Sequence, residues 1–240
     1  MSEFNYNRDY STSTYREDAQ STITISSLIQ SVYIWMCGAL AVTGLTAFYV
    51  GSSPAIMYKI YSTPGAFLGL IIAEVVLVIA LTAAINKLSA LTATIMFLVY
   101  SVLNGVMLSS IFVAYEAGSI ATAFFVTAGT FGVMAVYGSV TKTDLTKVGN
   151  ICFMGLIGII IASLVNIFLK NDMMEMITSI IGVIVFVGLT AYDSQKIKEL
   201  LGNAEVNDST QKLAVLGALT LYLDFINLFL YLLRFLGKKK

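Results

Sequence analysis

Seven apolar stretches follow one another along this chain, separated only by short polar breaks. Each is long enough to matter: a helix needs roughly 20 apolar residues to cross the hydrocarbon layer of a bilayer. The spans read as 29–51, 66–86, 90–114, 118–140, 149–169, 174–195 and 213–236. A chain with 58% hydrophobic and 12% charged residues lacks the polar surface that a water-soluble domain of this length requires. The pattern therefore predicts an all-α integral membrane protein, a seven-helix bundle over 29–237. A polar N-terminal tail over 1–28 is expected to be mobile, and a basic end occupies 238–240. No basic segment runs directly into an apolar core at the start, so the first span is expected to act as an uncleaved anchor.

Composition removes several functions. The chain has no His, which excludes His-dependent metal sites and Ser–His or Cys–His catalysis. Formal net charge is zero and no long basic run is present, so nucleic acid is not an expected partner. Cys37 and Cys152 both fall in apolar stretches and read as buried free thiols. Small residues inside the spans, among them Gly129, Gly132, Gly158 with Ala162, Gly182 and Gly188, read as points of close helix approach. Pro54 and Pro64 mark the first linker, and a long late linker is expected over about 196–212.

Lys and Arg in the loops vote on orientation. Arg8, Arg16, Lys87, Lys142, Lys147, Lys196, Lys198 and Lys212 fall on one side, and Lys59 and Lys170 on the other. The N-terminus is thus expected in the cytoplasm. Seven crossings then put Lys238, Lys239 and Lys240 outside, against their preference. Either the last helix crosses in spite of them or it does not cross fully.

Charges within spans are costly and point to function. Glu74 lies in span two, Asp193 near the end of span six and Asp224 in the middle of span seven. Asp224, Asn227, Tyr231 and Arg234 fall within an arc of roughly 80° at 100° per residue, a polar stripe that belongs toward the bundle interior. The stripe serves as an ion site or proton switch, or as a structural hydrogen-bond network. Asp193 alone reads as an acid at a helix end paired with Lys196 or Lys198. Beside Asp224 it becomes half of a carboxyl pair that cannot ionise cheaply in a low dielectric and tends to share a proton. Glu74 is either hydrogen-bonded or lines a cation path. Asn104 and Asn166 read as interhelical hydrogen bonders. Scattered carboxylates suit low-affinity Ca²⁺ passage better than a tight cage.

The stretches GLTAYDSQKIK (188–198) and LYLDFINLFLYLLRFLG (221–237), with YSVLNGVMLSSIF (100–112) and Glu74, resemble the Bax inhibitor-1 family, also called the transmembrane Bax inhibitor motif family. The resemblance covers about 29–237. It implies a seven-helix fold with the last helix at the centre and a calcium leak that responds to pH. It also implies an aspartate pair, here Asp193 and Asp224, that gates the cytoplasmic side and offers a low-affinity calcium contact. Prokaryotic relatives can carry a basic residue at the end of span two that meets this pair. Here that region reads AAINKLSA, and Lys87 is the nearest base. A lysine cannot make the bidentate contact of a guanidinium.

The expected function is therefore a pH-sensitive calcium leak channel. Asp193 and Asp224 form the gate, Glu74 lies on the ion pathway, and Asn104, Asn227, Tyr231, Arg234 and Lys87 form the supporting polar network. The expected partners are the lipid bilayer, calcium as transported ion and protons, with no cofactor. The alternative is a non-conducting regulator that binds other membrane proteins, such as a quality-control protease or a survival factor. No enzymatic activity is expected: an intramembrane aspartyl protease would carry GxGD where this chain has LYLD, and a retinal protein needs a lysine inside span seven. The expected location is a bacterial inner membrane.

Overall fold

The computed structural model describes the backbone of residues 3–202, 204 and 206–240, and side chains from residue 27 onward apart from 203 and 205. Asn203 of the late linker lies outside the described residues, as do the side chains of the expected tail before residue 27, Arg8 and Arg16 among them; the backbone of that tail is helical from Glu3. The described backbone is helical: α1 (Glu3–Gly51), α2 (Pro54–Ser62), α3 (Ala66–Ala84), α4 (Ala90–Leu108), α5 (Ile111–Ala114), α6 (Ala117–Val140), α7 (Thr146–Leu169), α8 (Asp172–Leu201) and α9 (Asp208–Leu236). Among the described residues seven segments are long and apolar enough to cross a membrane: Ser27–Gly51, Ala66–Lys87, Ala90–Ala114, Ala117–Val140, Thr146–Leu169, Asp172–Leu201 and Asp208–Leu236. They coincide with the expected spans.

The late linker is shorter than expected. Helix α8 continues through QKIKELL to Leu201, and α9 starts at Asp208. A reciprocal cap sets that start: Asn207 Oδ1 accepts the Thr210 N–H at 3.0 Å, and Thr210 Oγ1 accepts the Asn207 N–H at 2.9 Å. Ser89 and Asn171 cap α4 and α8 in the same manner, each accepting one early backbone N–H. Pro54 opens the short α2, whose fixed φ suits the first helical position. Gly65, at φ 79°, makes the left-handed turn into α3. Before α7, the side chain and N–H of Thr146 hydrogen-bond the Asp144 carboxyl and hold it below the usual carboxylate range.

Helix α9 is the axis of the bundle. Of its apolar stretch 67% is buried, against 11% for the stretches of α3 and α7. Leu219, Leu221, Tyr222, Leu228 and Leu233 are almost fully buried on different sides of it, as expected of a helix enclosed all round. It packs against α1, α4, α6 and α8, whereas α3 leans on α4 and α7 leans on α8. Helices α3 and α7 form no packed interface with each other, so a groove opens between them and reaches α9.

Close approach is concentrated on α8. A Cβ on Gly138 of α6 would collide with the Ala191 carbonyl, and one on Gly149 of α7 would lie 2.6 Å from the Tyr192 ring. Gly188 receives the Cys152 sulfur, and Gly182 receives the Tyr231 ring at 2.6 Å. Gly129, Gly132 and Gly158, expected as approach points, have nothing within 4 Å of an added Cβ. They face outward, where lipid replaces a neighbouring helix. Both cysteines are free, but only Cys152 is buried; Cys37 is exposed.

The last helix is long enough to cross, at 29 residues, and the C-terminal lysines beyond it have partners of their own. The end of the chain folds onto the α5–α6 junction: the Lys240 N–H donates to Ala114 O at 3.0 Å and the Glu116 N–H to Lys238 O at 3.1 Å. Lys239 and Arg234 both pair with Glu175 Oε1, at 3.6 and 3.5 Å, and Lys240 Nζ donates to Phe112 O at 2.7 Å. These partners satisfy cations on the face opposite Lys87 and Lys196.

Candidate functional site

The groove between α3 and α7 has a volume of about 890 Å³ and is open at the side. Its back wall is α9, from which Thr220, Asp224 and Asn227 project at i, i+4 and i+7 on one face. Tyr231 continues that stripe. From α8 come Tyr192, Asp193 and Lys196; from α3, Glu74; from α4, Tyr100. The three acids singled out in the sequence therefore line one cavity.

The carboxyls of Asp193 and Asp224 lie within hydrogen-bonding reach of one another. Asp224 is only 5% exposed, and its Oδ2 has no partner. Asp193 is half-buried, and among the described residues no lysine forms an ion pair with it. Lys196 instead lies over the Tyr192 ring, 5.7 Å from its centroid, and Lys198 donates to Ser139 O at 2.6 Å. The reading of Asp193 as a lysine-paired acid at a helix end does not hold: the seating of Ala191 against Gly138 and of Tyr192 against Gly149 turns Asp193 toward α9.

Glu74 is half-buried, and its Oε1 also lacks a partner. Beyond it, aromatic and hydroxyl groups lead inward. Tyr100 lines the groove and meets Tyr222 edge to face at 5.9 Å, and the Tyr222 hydroxyl stands 2.7 Å from Thr43 Oγ1 on α1.

The supporting residues separate. Asn227 lines the groove while donating to Leu223 O of its own helix at 2.8 Å. Tyr231 lines it too, stacked on Phe186 with ring centroids 5.7 Å apart. Arg234 lies beyond the groove, over the Tyr231 ring and paired with Glu175, because three more residues carry it to the end of the helix. Asn104 is buried and donates to the Tyr100 hydroxyl one turn earlier on the same helix at 3.5 Å, rather than to another helix. Asn166 accepts the Asn171 N–H at 2.9 Å and shapes the α7–α8 turn, so neither asparagine is the interhelical bonder expected. Lys87 is exposed and outside the groove. A 3₁₀ turn over Ile85–Lys87 buries Ile85 and leaves Asn86 and Lys87 outward.

Among the groove residues that escaped the sequence reading as site residues are Lys196, Thr220 and Tyr100. Lys196 had a visible signal, one turn from Asp193. Thr220 had a weaker one, one turn before Asp224. Tyr100 had none, since its place depends on how α4 meets α9. Among the described residues no three His, Cys, Asp or Glu side chains are close enough to hold a metal ion. The groove is thus a polar-floored cleft between apolar walls.

Residues 25–240 match the family described as Inhibitor of apoptosis-promoting Bax1. The chain is 50% identical over 218 residues to the inner membrane protein YbhL of Escherichia coli K12, covering 90% of this chain and 93% of that protein. It is 44% identical over 227 residues to an uncharacterized protein of Borreliella burgdorferi, covering 93% and 97%. It is 45% identical over 211 residues to one of Rickettsia prowazekii, covering 87% and 88%. The groove, the central last helix and these matches along nearly the whole chain lead to one identification: this integral membrane protein belongs to the Bax inhibitor family.

Proposed function

We propose that this protein is a calcium leak channel whose opening responds to pH. The observation that carries the reading is the Asp193–Asp224 pair, one acid on each of two adjoining helices, at the floor of a groove that also holds Glu74. A pair that shares one proton ties α8 to α9. When both groups are charged, they repel in a low dielectric, and the balance between two helix arrangements shifts. Glu74 offers an oxygen to a cation in transit. Two or three oxygens bind Ca²⁺ weakly, as conduction requires.

Calcium flux into proteoliposomes loaded with a calcium dye tests this reading. Wild type, Asp193→Asn and Asp224→Asn are compared from acidic to mildly alkaline pH. The expected result is pH-dependent flux that loses its pH dependence in both variants. Absence of flux from folded wild-type protein would overturn the leak and favour a regulator that acts by binding other membrane proteins.

A further inference from the structure

We infer that the α3–α7 groove binds a single-chain amphiphilic amine that reaches it from the bilayer, with the ammonium group on Asp224 and the alkyl chain between the two helices. Three observations carry this. First, the groove opens sideways: α3 and α7 form no packed interface, and Val75, Ile79, Phe153 and Ile160 on its rim are about half exposed. A ligand dissolved in the membrane can slide in without crossing water. Second, Asp224 is 95% buried by its 5% exposure and lines the groove with Oδ2 unpartnered. Unpaired buried polar oxygens are costly and ask for a donor. An ammonium has three N–H bonds to offer, and the groove presents the oxygens of Asp224 and Asp193 side by side, with Glu74 farther along its lining. Third, the walls are alkyl and aromatic, from Val78 and Leu156 among others, which a bare inorganic ion would leave unused.

Volume and depth select the ligand class. A cavity of about 890 Å³ lies within the roughly 300–1,000 Å³ of small-molecule sites. Asp224 stands 12 residues from the nearer end of α9, about 18 Å along the helix at 1.5 Å per residue. A one-chain amine has a head small enough to reach this mid-helix position between α3 and α7, where a carboxyl group meets it. Lys196 lies nearer the helix end and over the Tyr192 ring, so the ammonium settles on the inner side of it.

Dodecylamine with a photoreactive diazirine in its chain is the probe, used on the full-length protein in phosphatidylcholine nanodiscs. The expected result is saturable labelling of α3 and α7 around residues 75–79 and 153–160. Unlabelled dodecylamine competes, and dodecanol does not. Asp224→Asn is expected to reduce saturable labelling at least tenfold, with its thermal melting followed in parallel. Val75→Trp, at a half-exposed rim position that can take a larger ring, narrows the mouth and is expected to reduce labelling with the Asp224 carboxyl intact; it decides the matter if Asp224→Asn does not fold. Labelling spread over all outward-facing helices, or equal competition by dodecanol, overturns the site. So does labelling unchanged in Val75→Trp. The readout is independent of calcium flux, so a protein that binds the amine and passes no calcium overturns the leak while leaving this site standing.

Discussion

The hydroxyls of Tyr222 and Thr43 stand 2.7 Å apart although 179 positions separate them in the chain. Thr43 Oγ1 also lies 2.9 Å from Ser101 O, to which it gives its only hydrogen. Tyr222 must therefore donate to Thr43, and the relay Tyr222–Thr43–Ser101 joins α9, α1 and α4 in the buried core. Tyr222→Phe is expected to destabilise the protein by about 1 kcal/mol, in the range for one interhelical hydrogen bond. A double-mutant cycle with Thr43→Val checks it: the pair should lose less than the sum of the single losses.

Gly182 is the seat of the Tyr231 ring. Gly182→Ala places a methyl 2.6 Å from that ring, which then loses its stacking on Phe186. Overpacking of this kind costs about 1–3 kcal/mol. Gly158→Ala, with nothing within 4 Å of the new methyl, is expected to stay within about 0.5 kcal/mol of wild type. Thermal melting of the two variants in the same detergent separates these outcomes.

Gln195 acts as a two-sided brace. Its Oε1 accepts the Leu145 N–H at 2.9 Å and its Nε2 donates to Thr143 O at 2.8 Å, fixing the α6–α7 loop on α8. Gln195→Leu leaves two backbone groups without partners and is expected to cost about 1–3 kcal/mol. Amide hydrogen exchange at 143–146 should quicken in that variant, and a loop that exchanges at the wild-type rate would refute the brace.

Glu175 holds Arg234 and Lys239 at once, yet its side chain is about one third exposed. Water and salt screen such pairs, so Glu175→Gln is expected to cost less than about 1 kcal/mol. The diagnostic is salt: the melting temperature of wild type should move toward that of the variant as ionic strength rises.

Lys196 lines the groove and Lys87 does not. In the flux assay Lys87→Gln is expected to leave the pH profile of calcium leak unchanged. Lys196→Gln removes a positive charge beside the acid pair, which favours the protonated pair and moves the profile toward higher pH. A shift in Lys87→Gln alone would reverse this assignment.

The contrast between these two lysines shows what a sequence reading can reach. Span positions follow from apolar length, a property of each segment by itself, and the seven long apolar helices fall close to where the pattern places them. Asp193, Asp224 and Glu74 are conspicuous because charge is rare in such segments, and all three line one groove. Which neighbour each polar group meets depends instead on helix rotation and on turns of one or two residues. The 3₁₀ turn that swings Lys87 outward carries no signal in AAINKLSA. Nor could spacing reveal that Asn104 bonds within its own helix, or that Gly182 is filled while Gly158 faces outward. The C-terminal lysines are similar: a charge count sees three cations, and only the folded chain supplies Glu175 and the Phe112 carbonyl.

The central position of α9 also has a consequence in time. This helix follows the six other crossings in the chain, so they emerge from the ribosome before the element that fills their middle. Until residues 208–236 arrive, the inward faces of α1, α4, α6 and α8 have only lipid or each other to pack against. A nascent chain stopped before residue 208 should be a loose assembly that membrane proteases clear readily.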